Sequence, residues 1–195
     1  MLEEAFWNQG LSVAGVDEAG RGALAGPVVV AAVVLSPGRH PYRDSKKLSP
    51  RQREIMLDHV LASAVSWSVA AASAAEVDRL GVLEATHQAA YRALSRLRRQ
   101  PQAVITDYLF LKLDSPLLAP PRAEDASPSV AAASILAKVV RDRHMRGLDS
   151  VYPQYGFASH KGYGTSEHLA ALELLGPCPA HRRSFKPVAQ ARLMF

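Results

Sequence analysis

Short apolar runs separated by turn residues predict the strands of this chain. The second run is the clearest, because it is a series of Val and Ala residues between Gly26-Pro27 and Pro37-Gly38. The predicted strands cover residues 12–16, 27–35, 67–72 and 103–107. A proline-rich stretch over residues 114–129 predicts a loop between the last strand and the helix that follows it.

Helices are predicted where apolar residues recur with helical spacing and a capping residue stands at the start. Ser49 can cap a helix that begins at Pro50, and Gln52 completes a capping box. Gly176-Pro177 stops the last helix. The predicted helices cover residues 50–62, 82–98, 130–148 and 166–175. Because these helices alternate with strands, the pattern predicts an α/β protein with helices on both faces of a sheet.

Length and composition predict a single domain over residues 1–195. A chain of 195 residues with 48% hydrophobic residues can bury one full core. The single Cys178 excludes an internal disulfide and favours a reducing compartment. The start of the chain lacks the basic residues of a secretory signal, and no uncharged apolar run is long enough to span a membrane. We therefore expect a cytoplasmic protein with no membrane partner.

Charge indicates what kind of partner the chain has. Lys and Arg outnumber Asp and Glu by 23 to 18, and the isoelectric point is about 9.6. Positive charge favours a polyanionic partner such as a nucleic acid, although many basic proteins bind none. The charge therefore becomes informative only together with particular motifs.

Carboxylates end two of the predicted strands. Asp17 and Glu18 close the first strand and open onto the turn Gly20-Arg21-Gly22, and Asp107 closes the strand over residues 103–107. Carboxylate oxygens suit a hard divalent cation, and the ends of neighbouring strands meet at one edge of a sheet. Because side chains alternate along a strand, Asp17 and Glu18 can both bind metal only if the strand ends or bulges there. These features indicate metal-assisted chemistry on a phosphate backbone.

Basic residues near helix and loop ends suit phosphates and sugars. Lys46 and Lys47 precede the capped helix, whose N-terminus favours anions, although a solvated basic turn would have the same sequence. Tyr163 stands between Gly162 and Gly164, where its ring is free to stack on a sugar or base. A glycine-rich loop with a core tyrosine is the alternative.

The helix over residues 130–148 carries a polar stripe. Ser134, Lys138 and Arg141 share one face because they are four and then three residues apart. This stripe can hold phosphates or face water. Asp142 lies four residues after Lys138 and is therefore interpreted as its ion-pair partner rather than as a metal ligand.

Taken in this order, the motifs resemble the bacterial ribonuclease HII family, the type 2 ribonucleases H. The matching segments are residues 15–22, 44–48, 106–107, 132–139, 141–142, 160–165 and 181–185. Each segment alone is a modest signal, whereas their common order is specific. The resemblance extends over nearly the whole chain.

The resemblance implies a ribonuclease H-like fold, in which helices flank a mixed five-stranded sheet and a helical C-terminal lobe begins near residue 145. It implies endonucleolytic hydrolysis of RNA in RNA–DNA hybrids and at single ribonucleotides in duplex DNA, leaving 3′-hydroxyl and 5′-phosphate ends. It implies two Mg²⁺ or Mn²⁺ ions held by Asp17, Glu18, Asp107 and a fourth acid. The implied substrate contacts are Gly20, Arg21 and Gly22 to the ribose 2′-hydroxyl, Tyr163 to the sugar, and Lys46, Lys47, Ser134 and Lys138 to phosphates.

The fourth acid is where this chain departs from the family. The family has an aspartate about ten residues before the serine of its helix motif, and here Glu124 stands ten residues before Ser134 and Asp125 nine. An alignment without gaps assigns the role to Glu124, whereas a one-residue deletion in the loop assigns it to Asp125. Since the shorter side chain matches the family, Asp125 is the predicted metal ligand and catalytic residue.

Two other functions compete with this interpretation. The type 3 branch of the family usually carries an extra N-terminal domain, for which a first carboxylate pair at residue 17 leaves no room. A non-catalytic hybrid-binding module would have a disrupted set of acids, whereas three of the four stand where the family has them. We expect a monomer that binds an RNA–DNA hybrid or ribonucleotide-containing DNA. A sliding clamp is a further candidate partner, although residues 189–195 match a clamp-binding peptide only slightly.

Overall fold

A mixed sheet of five strands forms the centre of the protein. The structure is a computed structural model and describes residues 1–192. The strands are β1 (Val13–Ala19), β2 (Val28–Val34), β3 (Ser66–Ala72), β4 (Ala103–Thr106) and β5 (Leu117–Leu118). Their order across the sheet is β3-β2-β1-β4-β5. β2 is antiparallel to both of its neighbours, whereas β4 is parallel to both of its own. The predicted mixed five-stranded sheet is thereby confirmed.

Helices surround this sheet and make up the C-terminal part of the chain. The described residues contain α1 (Glu4–Trp7), α2 (Pro50–Ser63), α3 (Ala74–Leu80), α4 (Val82–Ser95), α5 (Pro128–Val151), α6 (Phe157–His160), α7 (Ser166–Leu175) and α8 (Lys186–Arg192). The predicted capping box of α2 is confirmed, because Ser49 and Gln52 each accept the other's backbone N–H through a side-chain oxygen. No helix over residues 1–192 is both long and apolar enough to cross a bilayer.

Strand β2 lies in the middle of the core, where all seven of its side chains are buried. Val28 and Val30 pack against α4 on one face of the sheet. Val29 and Ala31 pack against α2 and α5 on the other face. Burial on both faces explains why β2 is a continuous apolar run rather than an alternating one. The predicted placement of helices on both faces is confirmed.

The loop predicted over residues 114–129 contains three regular elements, one of which is a short helical turn over Ala123–Asp125. β5 pairs with β4, and α5 begins at Pro128, two residues earlier than predicted. The earlier start has a local and a distant cause. Ser127 caps the helix by accepting the N–H of Val130, and Pro128 stands in the first turn. Glu3 Oε1 in addition accepts hydrogen bonds from the Ser127 hydroxyl and from the N–H of Ser129. Contacts between residues this far apart in the chain leave no local sequence signal.

Helix α5 extends from the sheet into the C-terminal part of the chain. Met145 near its end is buried in a cluster with Ala25, Tyr155 and Phe157. The helix continues past residue 145 without a break, and the single domain with a lobe beginning there stays a prediction. α8 includes residues 189–192 of the tail considered as a clamp-binding peptide. Leu193, Met194 and Phe195 of that tail lie outside the described residues.

Candidate active site

Two carboxylates lie side by side where the pairing between the parallel strands β1 and β4 ends. Val16 and Thr106 are register partners in this pair, and Asp17 and Asp107 are the residues that follow them. The N–H of Ala123 donates to Asp107 Oδ1 at 3.2 Å. This bond brings the segment before α5 to the same edge of the sheet. The predicted meeting of Asp17 and Asp107 follows from the register of the strands.

Glu18 lies in the same strand but on the other face. β1 pairs with β2 without a break from Ala14 to Ala19, so the strand neither ends nor bulges at the acidic pair, which common metal binding by both residues was expected to require. Asp17 Oδ1 accepts the N–H of Glu18 at 2.8 Å, and Glu18 Oε1 accepts from the guanidinium of Arg21 at 3.2 Å. The ladder with β2 holds the strand straight through both acids.

Burial and crowding of negative charge disfavour ionisation in this group. Burial raises the pKa of Asp17 well above its usual value, and the charges of Glu18 and Asp107 add to the effect. Burial likewise raises the pKa of Glu18, against the opposing charge of Arg21. The negative charge of these carboxylates therefore exceeds the positive charge near them, and a divalent cation would balance it.

Neighbouring Glu124 and Asp125 point in different directions. Glu124 is buried, Lys46 Nζ lies 3.7 Å from its Oε1, and its Oε2 has no hydrogen-bond partner among the described residues. Burial raises the pKa of Glu124, and the charge of Asp107 raises it further. The side chain of Asp125 is 36% exposed and forms an ion pair with Lys47. The structure therefore places Glu124, rather than the predicted Asp125, close to Asp107.

These four acids fit a hard divalent cation in their chemistry, since all of their donors are carboxylate oxygens and one buried oxygen of Glu124 is unpartnered. In their present rotamers, however, no three Asp, Glu, His or Cys side chains within residues 1–192 form a group that could hold a metal ion. Asp17 and Glu18 project from opposite faces of β1. Coordination of one ion by both therefore requires rotation of a side chain.

The three residues of the polar stripe on α5 lie in three different environments. Ser134 is buried, and its hydroxyl lies 2.7 Å from that of Ser45 and also bonds to Asp17. Lys138 Nζ donates to Asp142 at 2.7 Å, which confirms the predicted ion pair. Arg141 is fully buried. Only Lys138 of this stripe is partly exposed, whereas Ser134 and Arg141 are buried.

Two arginines, whose burial was not apparent from the sequence, bind the backbone of the glycine-rich turn and of the segment that follows it. Arg141 donates to the carbonyl oxygens of Pro27, Ala25 and Lys161 at 3.0, 3.2 and 2.9 Å. Arg182 donates to those of Arg21 and Gly26 at 2.8 and 2.9 Å. Charged residues usually face solvent, so neither arginine gave a sequence signal beyond membership of a matching motif.

The turn itself presents backbone donors. Among the described residues, no acceptor is found for the N–H groups of Gly20, Arg21 and Gly22. Gly20 has φ of +96°, and a Cβ atom there would lie 2.0 Å from Nε of Arg141. Only glycine can therefore bring the backbone this close to the arginine. Three successive free N–H groups form a site for an oxygen ligand.

Tyr163 faces this turn from the loop after α6. Its half-buried ring lies over two cations, with Arg141 Cζ at 5.2 Å and Lys138 Nζ at 5.7 Å from the ring centroid. The carbonyl of Gly162 accepts the N–H groups of Leu24 and Ala25. The tyrosine loop and the glycine-rich turn are therefore fixed to each other.

A mixed five-stranded sheet with carboxylates where two adjacent parallel strands stop pairing defines a ribonuclease H-like nuclease. The family model described as ribonuclease HII matches residues 14–188, and the chain belongs to this family. It is a ribonuclease H, an endonuclease that acts on RNA–DNA hybrids. The family and fold predicted from the sequence are confirmed.

Relatives in bacteria and archaea support this assignment. A ribonuclease HII of Thermus thermophilus is 61% identical over 194 residues, which cover 100% of this chain and 96% of the relative. The crystal structure of ribonuclease H2 from Pyrococcus horikoshii matches with a TM-score of 0.83 at 27% identity, covering 94% of this chain and 98% of that one. The ribonuclease HII of Archaeoglobus fulgidus, solved in complex with PCNA, matches with a TM-score of 0.78 at 26% identity and covers 92% and 96%.

Proposed function

We propose that this ribonuclease H also cleaves duplex DNA at single embedded ribonucleotides and that it uses two divalent metal ions, Mg²⁺ or Mn²⁺. The observation that carries the proposal is the strand register that sets Asp17 level with Asp107 beside the buried, unpartnered oxygen of Glu124. Bound divalent ions would supply Lewis acids that stabilise the negative charge of the attacking and leaving oxygens. The products would carry 5′-phosphate and 3′-hydroxyl ends.

The residues that hold the ions are Asp17, Glu18, Asp107 and, in place of the predicted Asp125, Glu124. Glu124 is supported because its side chain is buried next to Asp107, whereas Asp125 pairs with Lys47 at the surface. The glutamate is one methylene longer than the family's aspartate, so its carboxylate reaches further for the same backbone position. Lys46, 3.7 Å from Glu124, then also faces the substrate phosphates.

Recognition of RNA depends on the 2′-hydroxyl group, which DNA lacks. We assign the N–H groups of Gly20, Arg21 and Gly22, for which no acceptor is found among the described residues, to that oxygen, and Tyr163 to stacking on the sugar. We assign Lys46, Lys47 and Lys138 to phosphate contacts. Ser134 is assigned to the orientation of Asp17 rather than to a phosphate, because its hydroxyl is buried against that acid.

Cleavage at single ribonucleotides would begin their removal from DNA in the cytoplasm, with the enzyme acting as a monomer. A sliding clamp stays a candidate partner, since the archaeal relative was solved with PCNA. Size-exclusion chromatography with light scattering tests the monomer. A pull-down of purified clamp by the full-length chain, with a chain ending at residue 188 as control, tests the partner.

The proposal is tested by cleavage of a duplex with one embedded ribonucleotide, in parallel with an all-RNA strand hybridised to DNA. We expect both to be cut with Mg²⁺ or Mn²⁺ and neither with EDTA. Asp17→Asn should abolish both activities while the protein stays folded by circular dichroism. Tyr163→Ala should weaken cleavage at the single ribonucleotide. Cleavage of the hybrid alone would refute the proposed substrate, and full activity of Asp17→Asn would refute the metal site.

A further inference from the structure

Behind Tyr163, a series of hydrogen bonds joins two buried histidines to the backbone of the tyrosine. His168 has no exposed surface and His181 is 2% exposed. His168 Nδ1 lies 2.9 Å from the carbonyl oxygen of Tyr163, and its Nε2 lies 3.0 Å from Nε2 of His181. The N–H of Cys178 donates to Nδ1 of His181 at 3.1 Å. The proposed function gives these two histidines no role.

The partners define which nitrogen of each ring carries the proton. A carbonyl oxygen only accepts, so His168 carries a proton on Nδ1. The N–H of Cys178 only donates, so Nδ1 of His181 is unprotonated, and neutral His181 carries its proton on Nε2. That proton is donated to the free Nε2 of His168. Each ring nitrogen then has a partner, and the hydrogen bonds all run in one direction, from Cys178 to Tyr163.

This cluster is not a metal site, although it contains several metal-ligating residue types. His160 stacks on His168 with a centroid distance of 4.4 Å. Its Nδ1 accepts the N–H of Gly162 and its Nε2 donates to the carbonyl of Tyr155. All three imidazoles are therefore committed to hydrogen bonds, and the described residues hold no group of three that could bind a metal ion.

The histidine pair supports the backbone from which the Tyr163 ring projects. The carbonyl oxygen of Tyr163 accepts from Thr165 N–H at 2.8 Å as well as from His168. The preceding carbonyl, of Gly162, is bound to the segment after the glycine-rich turn. The ring itself contacts only the cations of Arg141 and Lys138 among charged groups of the described residues. Its position over the active site thus depends on how its backbone is fixed.

We propose that His168, oriented by His181, is a positioning residue that acts through Tyr163, fixing the tyrosine carbonyl so that the ring stacks on the ribose of the substrate. This role rests on the proposed function of Tyr163. Neither histidine touches the substrate. A loop that loses the Nδ1–H bond displaces the ring, and a displacement of about 1 Å can reduce the rate by about 100-fold.

Two amide substitutions at His168 separate positioning from stability. The amide N–H of His168→Asn takes the place of Nδ1–H and can still donate to Tyr163, but it loses the contact with His181. His168→Gln places its amide near Nε2, keeps an acceptor for His181 and loses the bond to Tyr163. Both are measured for unfolding by urea and for kcat/KM on a duplex with one ribonucleotide. We expect His168→Asn to keep most of its activity and His168→Gln to lose about tenfold or more.

A double-mutant cycle tests whether the effect passes through the tyrosine. In a Tyr163→Ala background, His168→Gln should cause no further loss of kcat/KM. An equal loss in both backgrounds, or equal activity of the Asn and Gln variants at His168, would overturn the inference. If His168→Gln does not fold, His168→Asn compared with the wild type still tests the inference, because it keeps the donor to Tyr163, and a loss of about tenfold or more in that variant would overturn the inference.

The outcomes distinguish this inference from the function on which it rests. A wild-type enzyme that cleaves the hybrid and not the single ribonucleotide contradicts the proposed substrate. A wild-type enzyme that cleaves both, with unchanged activity of Tyr163→Ala, removes the tyrosine and the histidine pair together. Loss of activity in Tyr163→Ala with additive effects at His168 leaves the proposed function intact and refutes the positioning role.

Discussion

Lys46 Nζ lies 3.7 Å from Oε1 of Glu124, so an exposed ammonium group stands over a buried carboxylate. The next lysine, Lys47, pairs with the next acid, Asp125, away from the other carboxylates. The charge of Lys46 lowers the pKa of Glu124, but burial and the charge of Asp107 outweigh it. Two adjacent acids thus have different environments, and only Glu124 shares that of Asp107.

The identity of the fourth acid gives the first prediction. Glu124→Gln should lower the single-turnover rate with Mg²⁺ by about 100-fold or more, because it removes a carboxylate from the group that holds the ions. Asp125→Asn should stay close to the wild type, since it removes only a surface ion pair. Glu124→Asp is the matched control, which keeps the charge and shortens the side chain. Inactivity of Asp125→Asn with an active Glu124→Gln would return the role to Asp125.

Asp17→Asn should separate stability from activity. The substitution removes a buried carboxylate that burial and its neighbours Glu18 and Asp107 disfavour in its charged form. Without metal, the free energy of unfolding should therefore rise by about 1 kcal/mol, as is common when a strained active-site group is replaced. The measurement is urea unfolding in EDTA, with and without added Mn²⁺.

Mn²⁺ should raise the melting temperature of the wild type and leave that of Asp17→Asn nearly unchanged, because binding to the folded state alone stabilises it. If Asp17→Asn is less stable in EDTA than the wild type, the Asp17 carboxylate stabilises the fold even without a cation, contrary to the prediction. An equal Mn²⁺ effect on both proteins would remove Asp17 from the ligands.

The histidine pair predicts that stability falls in acid. Burial lowers the pKa of His181 from its usual value to about 4 and also lowers that of His168. Between about pH 6.5 and pH 4, the unfolded chain binds protons at these residues that the folded chain does not. The free energy of unfolding should therefore decrease as the pH falls through this window, by roughly 2–3 kcal/mol for His181.

The acids of the active site change the stability with pH in the opposite direction, so the experiment must account for their contribution. Asp17, Glu18 and Glu124 have raised pKa values, so the folded state binds protons there before the unfolded state does and gains stability as the pH falls. The free energy of unfolding, measured with urea at several pH values, should accordingly fall more steeply with decreasing pH in an Asp17→Asn, Glu124→Gln protein than in the wild type. Adding His181→Asn to that protein should make the fall less steep. If adding His181→Asn leaves the pH dependence of the free energy of unfolding unchanged, the prediction is contradicted.

Tyr108 provides a test of backbone strain. Its φ is 50°, in the left-handed region that costs a non-glycine residue about 1–2 kcal/mol, and its ring is 64% exposed. Tyr108→Asn should raise the free energy of unfolding by up to about 1 kcal/mol, since asparagine tolerates this conformation. Tyr108→Ala is the control, because it removes the same ring but alanine does not tolerate the left-handed conformation as asparagine does. Equal stability of the two variants would show that strain at this residue is negligible.

Local signals in the sequence predicted the elements that depend on neighbouring residues. The capping box of Ser49 and Gln52 and the buried run of β2 are examples, since each is specified within a few residues. Contacts between distant residues escaped prediction. β1 continues past Asp17 because β2 pairs with it, and Glu3 binds the start of α5 from the other end of the chain.

The candidate site divides in the same way. The order of the motifs was enough to predict the acids of β1 and β4 and the family to which the chain belongs. The choice between Glu124 and Asp125 depends on the direction of one short helical turn, which spacing along the chain does not specify. The burial of Arg141 and Arg182 was missed because a buried arginine bonded to carbonyl oxygens has the same sequence signature as an exposed one.

Helix α5 carries three parts of the active site on three successive turns of one face. Ser134 lies against Asp17, Lys138 lies beside the Tyr163 ring, and Arg141 donates to the segment that follows the glycine-rich turn. A helix rises about 1.5 Å and rotates about 100° with each residue. One inserted or deleted residue between Ser134 and Arg141 would therefore turn the later side chains away from their partners. The loops of this enzyme can therefore change in length, but the number of residues on α5 between the carboxylates and the proposed ribose-binding groups is fixed by the helical repeat.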